Sequence, residues 1–106
     1  MTLIYKNTAT GEEIETMDDR TCEEVLELVR KLTVPGSTLI TSLPSGMGLD
    51  FHVENSDTLW VEFYADTVSS AFVTMQVAEQ IVNRSFAGVS DRIKENYADL
   101  ISKWES

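Results

Sequence analysis

His52, the single histidine of the chain, stands between two carboxylates in Asp50-Phe51-His52-Val53-Glu54. That spacing admits metal ligation, general-base catalysis or ionic recognition of a cation. On an extended strand, residues two apart point to the same side, so Asp50, His52 and Glu54 share one face. Neighbours on such a face lie about 6.5–7 Å apart, stretched for a shared ion. No second histidine closes the set, so no metal and no cofactor are expected. A general base needs a nucleophile within hydrogen-bond reach. The chain has no G-x-S-x-G elbow, and nothing in the pattern pairs Cys22, the single cysteine, with His52. Gly46-Met47-Gly48 is superficially like the start of a phosphate loop, but a strand rather than a helix follows it and no lysine completes it. A tight turn between strands accounts for these glycines. No catalytic residue is assigned, and an enzyme is not expected.

Ionic recognition is left, and the neighbouring segment supports it. Leu49, Phe51, Val53 and then Leu59, Val61, Phe63 alternate with polar or amphipathic residues, the signature of a hairpin with one buried face. A three-residue turn, Asn55-Ser56-Asp57, keeps both apolar triplets on that face by pairing Val53 with Leu59 and Glu54 with Thr58. Trp60, Glu62 and Tyr64 then join Asp50, His52 and Glu54 on the opposite face, with His52 across from Trp60 and Asp50 across from Glu62. Like charges directly opposite are unfavourable in a sheet. Two aromatics beside three carboxylates fit a lysine or arginine through ion pairs and cation–π contacts. The alternative is an ordinary solvated face, or one covered by the C-terminal helix.

A second acidic group lies upstream. Glu12, Glu13, Glu15, Asp18, Asp19, Glu23, Glu24 and Glu27 fall within sixteen residues, opposed by Arg20 alone. Capping and helix-dipole matching explain the carboxylates of a first helical turn, but not the run from Glu12 to Asp19. The whole chain carries 18 acids against 8 bases, a formal charge of −10. Such a charge repels nucleic-acid phosphates and anionic lipid, so neither is an expected partner, whereas a basic protein is steered toward it. Plain solubility is the competing explanation.

The elements that must position these residues follow from periodicity and turn chemistry. At 106 residues, 42% hydrophobic and 25% charged, the chain is expected to form a single α+β domain over 1–106. Residues 2–6 are β-prone, Asn7 to Gly11 turns, and Glu12 to Met17 can pair back. Thr21-x-x-Glu24 is a capping box for a helix over about 21–32, with Cys22, Val25, Leu26 and Val29 inward. Thr38 to Leu43 reads as a strand between Pro35-Gly36 and Pro44-Ser45-Gly46. Val68 to Val73 fits either period, a strand being preferred. Thr74 caps a helix with Val77, Ala78, Ile81, Val82 and Phe86 inward that ends at Gly88. Ser90 caps a last helix through Ile93, Tyr97, Leu100, Ile101 and Trp104. The expectation is an antiparallel sheet of about five strands with helices packed on one face. No apolar run approaches the roughly 20 residues of a membrane span, and the N-terminus lacks a secretory pattern, so the expected location is the cytoplasm. Cys22 is expected to be a small core residue.

In size, charge and architecture, with acidic Glu12 to Glu27, the Leu49-to-Tyr64 hairpin and two closing helices, the whole chain resembles the small immunity proteins of bacterial polymorphic-toxin and contact-dependent inhibition systems. No residue motif is shared, so no site is carried over. The resemblance implies a non-enzymatic cytoplasmic protein that binds a cognate toxin domain, often a basic nuclease, and occludes its active site. The partner-binding candidates rest on this sequence alone: Asp50, His52, Glu54, Trp60, Glu62 and Tyr64 on the hairpin, and Glu12, Glu13, Glu15, Asp18 and Asp19 upstream. Alternatives are a secretion chaperone for an effector, which would open with a helix this chain lacks, and a phage-type inhibitor or DNA mimic, which would spread its carboxylates more evenly.

Overall fold

A computed structural model describes residues 2–18, 20–43, 46–64, 68–87, 95 and 97–101. The elements run β1 (Leu3–Lys6), β2 (Glu13–Thr16), α1 (Cys22–Arg30), β3 (Thr38–Ser42), β4 (Gly48–Asn55), β5 (Thr58–Tyr64), β6 (Val68–Val73) and α2 (Met75–Phe86). The strands form one sheet in the order β2-β1-β3-β4-β5-β6, every neighbouring pair antiparallel. The described residues thus form six strands, where periodicity suggested about five. Glu13 to Thr16 pairs fully with β1, and Val68 to Val73 is a strand.

Alternation decides which side of the sheet is covered. Leu3 and Tyr5, Leu39, Leu49, Phe51 and Val53, Leu59, Val61 and Phe63, and Ala71 and Val73 are buried on one face. They meet Val25, Leu26, Leu28 and Val29 of α1 and Ala78, Ile81 and Val82 of α2 in one continuous core. Both helices therefore lie on that face. Thr21 closes the expected capping box: its hydroxyl oxygen accepts from the Glu24 N–H at 3.2 Å, while its own N–H donates to Glu24 Oε1 at 3.2 Å. Arg20 donates to the same carboxylate, and the Thr74 hydroxyl accepts the Val77 N–H to cap α2. The two helices are joined by an Arg30–Glu79 ion pair and a Cys22 Sγ to Asn83 Oδ1 contact of 3.5 Å. Cys22 is half-buried at the margin of the core rather than inside it.

Asn7 holds the sheet's acidic end in place. Its buried side chain donates to the Tyr5 hydroxyl at 2.7 Å and the Lys31 carbonyl at 3.2 Å, and accepts from the Ala9 N–H at 2.9 Å. Its backbone closes the turn through Asn7 N–H to the Glu12 carbonyl and Gly11 N–H to the Asn7 carbonyl. Gly11, at φ +76°, takes the left-handed conformation this turn requires. One residue thereby ties the β1–β2 turn to the C-terminal end of α1.

The β4–β5 turn differs from expectation. Asn55, not Glu54, pairs with Thr58, and the register shifts between Val53 and Asn55. The connection is two residues long, and Glu54 becomes the extra residue of a bulge, with Asn55 Oδ1 accepting the Asp57 N–H at 2.9 Å. The bulge absorbs the parity, so Val53 still faces Leu59 and the core register is unchanged. Among the C-terminal residues described, Tyr97 packs its ring 5.1 Å from that of Phe63 and hydrogen-bonds Ser85, while Asp99 receives both Arg84 Nη groups. The Ser90 cap, Ile93, Trp104, Gly88 and the Pro44-Ser45 turn lie outside the described residues. Among the described residues, no helix is long and apolar enough to cross a membrane.

Asn7→Ala removes four side-chain hydrogen bonds, the fourth being from the Thr10 N–H at 3.4 Å, and leaves the buried Tyr5 hydroxyl and Lys31 carbonyl without this partner. A loss of about 2 kcal/mol is expected in urea denaturation; a change within error would show that the turn does not depend on this side chain.

Candidate partner-binding face

The face opposite the helices is built from cross-strand rows. One row runs Glu15, Ile4, Ile40, Asp50, Glu62, Ser70 across all six strands. A second, one pleat away, runs Glu13, Lys6, Thr38, His52, Trp60, Phe72. On the other side of the first lie Ser42, Gly48, Tyr64 and Val68. Asp50 faces Glu62 and His52 faces Trp60, as the hairpin pattern predicts.

The carboxylates are held by the rows that flank them. Trp60 Nε1–H donates to Glu62 Oε1 at 2.9 Å, and the Tyr64 hydroxyl donates to Glu62 Oε2 at 2.7 Å, so each oxygen is fixed from a different side. Gly48 leaves room beside the tyrosine that makes the second bond. It sits opposite Tyr64, and a Cβ there would lie 3.3 Å from the Tyr64 Cβ and 3.6 Å from its ring. The Trp60 ring is braced edge-to-face by Phe72 at 4.6 Å. His52 Nε2 lies 4.0 Å from both Asp50 Oδ2 and Glu62 Oε1, between the two but beyond hydrogen-bond distance of either.

Asp50 is the most constrained group, only 7% exposed. Burial pushes its carboxyl above the usual range and Glu62 adds to this, while the Tyr64 hydroxyl and His52 partly offset the shift. The Tyr64 phenol is held far above its ordinary value, first by its bond to Glu62 and then by burial and the charge of Asp50. Among the described residues no lysine or arginine pairs with Asp50 or Glu62; Arg20, Arg30 and Arg84 are engaged by Glu24, Glu79 and Asp99. Nor, among those residues, are three His, Cys, Asp or Glu side chains gathered as a metal site requires.

The candidates of the sequence divide as follows. Asp50, His52, Trp60, Glu62 and Tyr64 come together. Glu54 stands apart, exposed at the bulge. Glu13 and Glu15 join the same face at its β2 end, three strand spacings or about 14 Å from the β4 residues of their rows. Glu12 instead borders an open hollow of about 560 Å3 with Asn7, Ala9, Thr10, Arg30, Lys31 and Thr33. Asp18 is exposed beyond the end of β2, and Asp19 lies outside the described residues. Glu23 and Glu27 are exposed on α1, which covers the opposite side of the sheet. The dense run from Glu12 to Glu27 is therefore not one surface.

Phe72 and Val68 belong to the face and were missed, because Val68, Ala71, Phe72 and Met75 also fit helical spacing. Phe72, Val68 and Tyr64 expose 54%, 45% and 40% of their surfaces, an apolar rim on β5 and β6. Carrying the hairpin register one strand further would have found them.

The fold and this face define an antiparallel α+β domain whose helices cover one side of the sheet and whose other side presents carboxylates framed by aromatic rings. In comparisons with known proteins, no family model, no curated protein and no solved structure matches the chain.

Asp50 makes stability depend on pH with a definite sign. The folded state holds this proton to higher pH than the unfolded chain, so the group favours folding in acid. That contribution is lost as pH rises from near the ordinary value of 3.8 through the raised one. An asparagine at this position does not titrate and carries no such cost. The stability of Asp50→Asn relative to the parent chain should therefore increase with pH across that window and then level off, reaching up to about 1 kcal/mol, the scale of one cross-strand pair. A difference that is flat in urea titrations from about pH 3.5 to 7 would contradict the assignment.

Proposed function

We propose that this chain is a non-catalytic acidic binding protein of the immunity type, resident in the cytoplasm, which holds a basic toxin domain through the open sheet face and so occludes it. The observation that carries the reading is the Asp50–Glu62 pair. Two carboxylates face each other on adjacent strands, one nearly buried and one fixed by Trp60 and Tyr64, with no lysine or arginine of the described residues against them. Their repulsion is an energetic cost in the isolated protein, and an incoming cation relieves it. The apolar rim of Tyr64, Val68 and Phe72 supplies the desolvating border that makes a buried ionic anchor effective.

Glu13 and Glu15, at the far end of the same face, add long-range attraction for a basic surface. The half-buried Ile4 and Ile40 separate the two acidic groups. Charge in two groups about an apolar centre suits a protein partner better than the even line of charge a DNA mimic would present.

Capture from the native cell at low salt, with mass spectrometry of the bound protein, should recover one basic folded domain whose toxicity this chain relieves on co-expression. Against that domain, Trp60→Ala and the double variant Asp50→Asn/Glu62→Gln should each weaken binding about tenfold or more with the fold retained. Glu13→Gln/Glu15→Gln should lower the association rate and its salt dependence more than the dissociation rate. Unchanged affinity in the first two variants would move the interface elsewhere, and capture of only acidic or neutral proteins would remove the proposed function.

A further inference from the structure

We propose that the anchor this face accepts is an arginine side chain in preference to lysine, its guanidinium lying on the outward side of Glu62 and Asp50 against the Trp60 ring. The inference rests on the reading of the open sheet face as a docking surface for a basic protein, and specifies the chemistry of the contact. Charge complementarity gives the sign of the occupant: Asp50 and Glu62 oppose each other across β4 and β5, and no lysine or arginine of the described residues pairs with either, their nearest basic neighbour being His52 at 4.0 Å from both.

Geometry distinguishes the two cationic side chains. Trp60 and Tyr64 each take one bond to a different oxygen of Glu62, which fixes the plane of that carboxylate. Each oxygen keeps a further lone pair. A fixed carboxylate plane matches the planar fork of a guanidinium, which binds through two parallel bonds, whereas an ammonium gains nothing from the fixed plane. Asp50 is buried, so its partner must shed water to reach it, and guanidinium is the more weakly hydrated of the two cations. Trp60, braced by Phe72 at 4.6 Å, offers an indole on which a planar cation stacks. The exposed Val68 and Phe72 set an apolar border that the residues flanking such an arginine would meet.

The test titrates the intact chain with the synthetic peptide acetyl-Gly-Leu-Arg-Leu-Gly-amide and with versions carrying lysine or citrulline at the centre. The Trp60 indole N–H is followed by NMR and identified with Trp60→Phe. The arginine peptide should shift this signal and bind at least fivefold more tightly than the lysine peptide, with citrulline weakest. Asp50→Asn/Glu62→Gln, with an otherwise unchanged spectrum, should abolish the preference. Equal binding of arginine and lysine peptides, both stronger than citrulline, would overturn the arginine assignment while leaving a cation-binding face. Failure of all three to move the Trp60 signal, or equal binding by citrulline, would overturn the cation-docking reading itself.

Discussion

The register of β4 against β5 is the constraint on which the rest of the molecule depends. Leu49, Phe51 and Val53 face Phe63, Val61 and Leu59, and all six side chains are buried beneath the helices. A slip of one residue would turn one triplet to the other face, and losing burial of those three would cost roughly 5–9 kcal/mol, at about 1.5–3 kcal/mol for each large side chain. The repulsion between Asp50 and Glu62 belongs to the scale of a single cross-strand pair, about 1 kcal/mol or less. The core therefore decides the register, and the two carboxylates must stay opposed.

Their surroundings temper the repulsion without neutralising it. Trp60 and Tyr64 satisfy Glu62, and His52 stands between the two acids at 4.0 Å from each. The arrangement is pre-organised, because residues on three adjacent rows fix one carboxylate before any partner arrives, which reduces the ordering cost of binding. Topology adds the second acidic group. After the β1–β2 hairpin the chain passes through α1 on the covered side and returns as β3 beside β1. That return brings Glu13 and Glu15 into the same cross-strand rows as His52 and Asp50, far from them in sequence.

What the sequence disclosed follows the range of the interactions involved. The hairpin face was legible because period-two alternation is local and its parity is enforced by burial, so Asp50 opposite Glu62 could be written down from residues 49 to 64. The caps at Thr21 and Thr74 were legible for the same reason: each is settled within three residues. Three features were not. The bulge at Glu54 preserves parity by a route that alternation cannot distinguish from a longer turn. The strand order depends on how α1 packs, a long-range matter. The clamp on Glu62 uses a Tyr64 that packs beside Gly48 on the neighbouring strand, and Gly48 was read only as turn chemistry. The charge run from Glu12 to Glu27 misled most, since proximity in sequence placed on one surface residues that the sheet divides between its two sides.

The central claim is that the open sheet face, and not the helical side, meets a basic partner. The most direct measurement is an NMR cross-saturation footprint of this chain bound to the basic domain it captures. The footprint should fall on Trp60, Tyr64, Val68 and Phe72 and extend through Ile40 and Ile4 toward Glu15. A footprint confined to the outer surfaces of α1 and α2, with the Trp60 indole unaffected, would contradict the account.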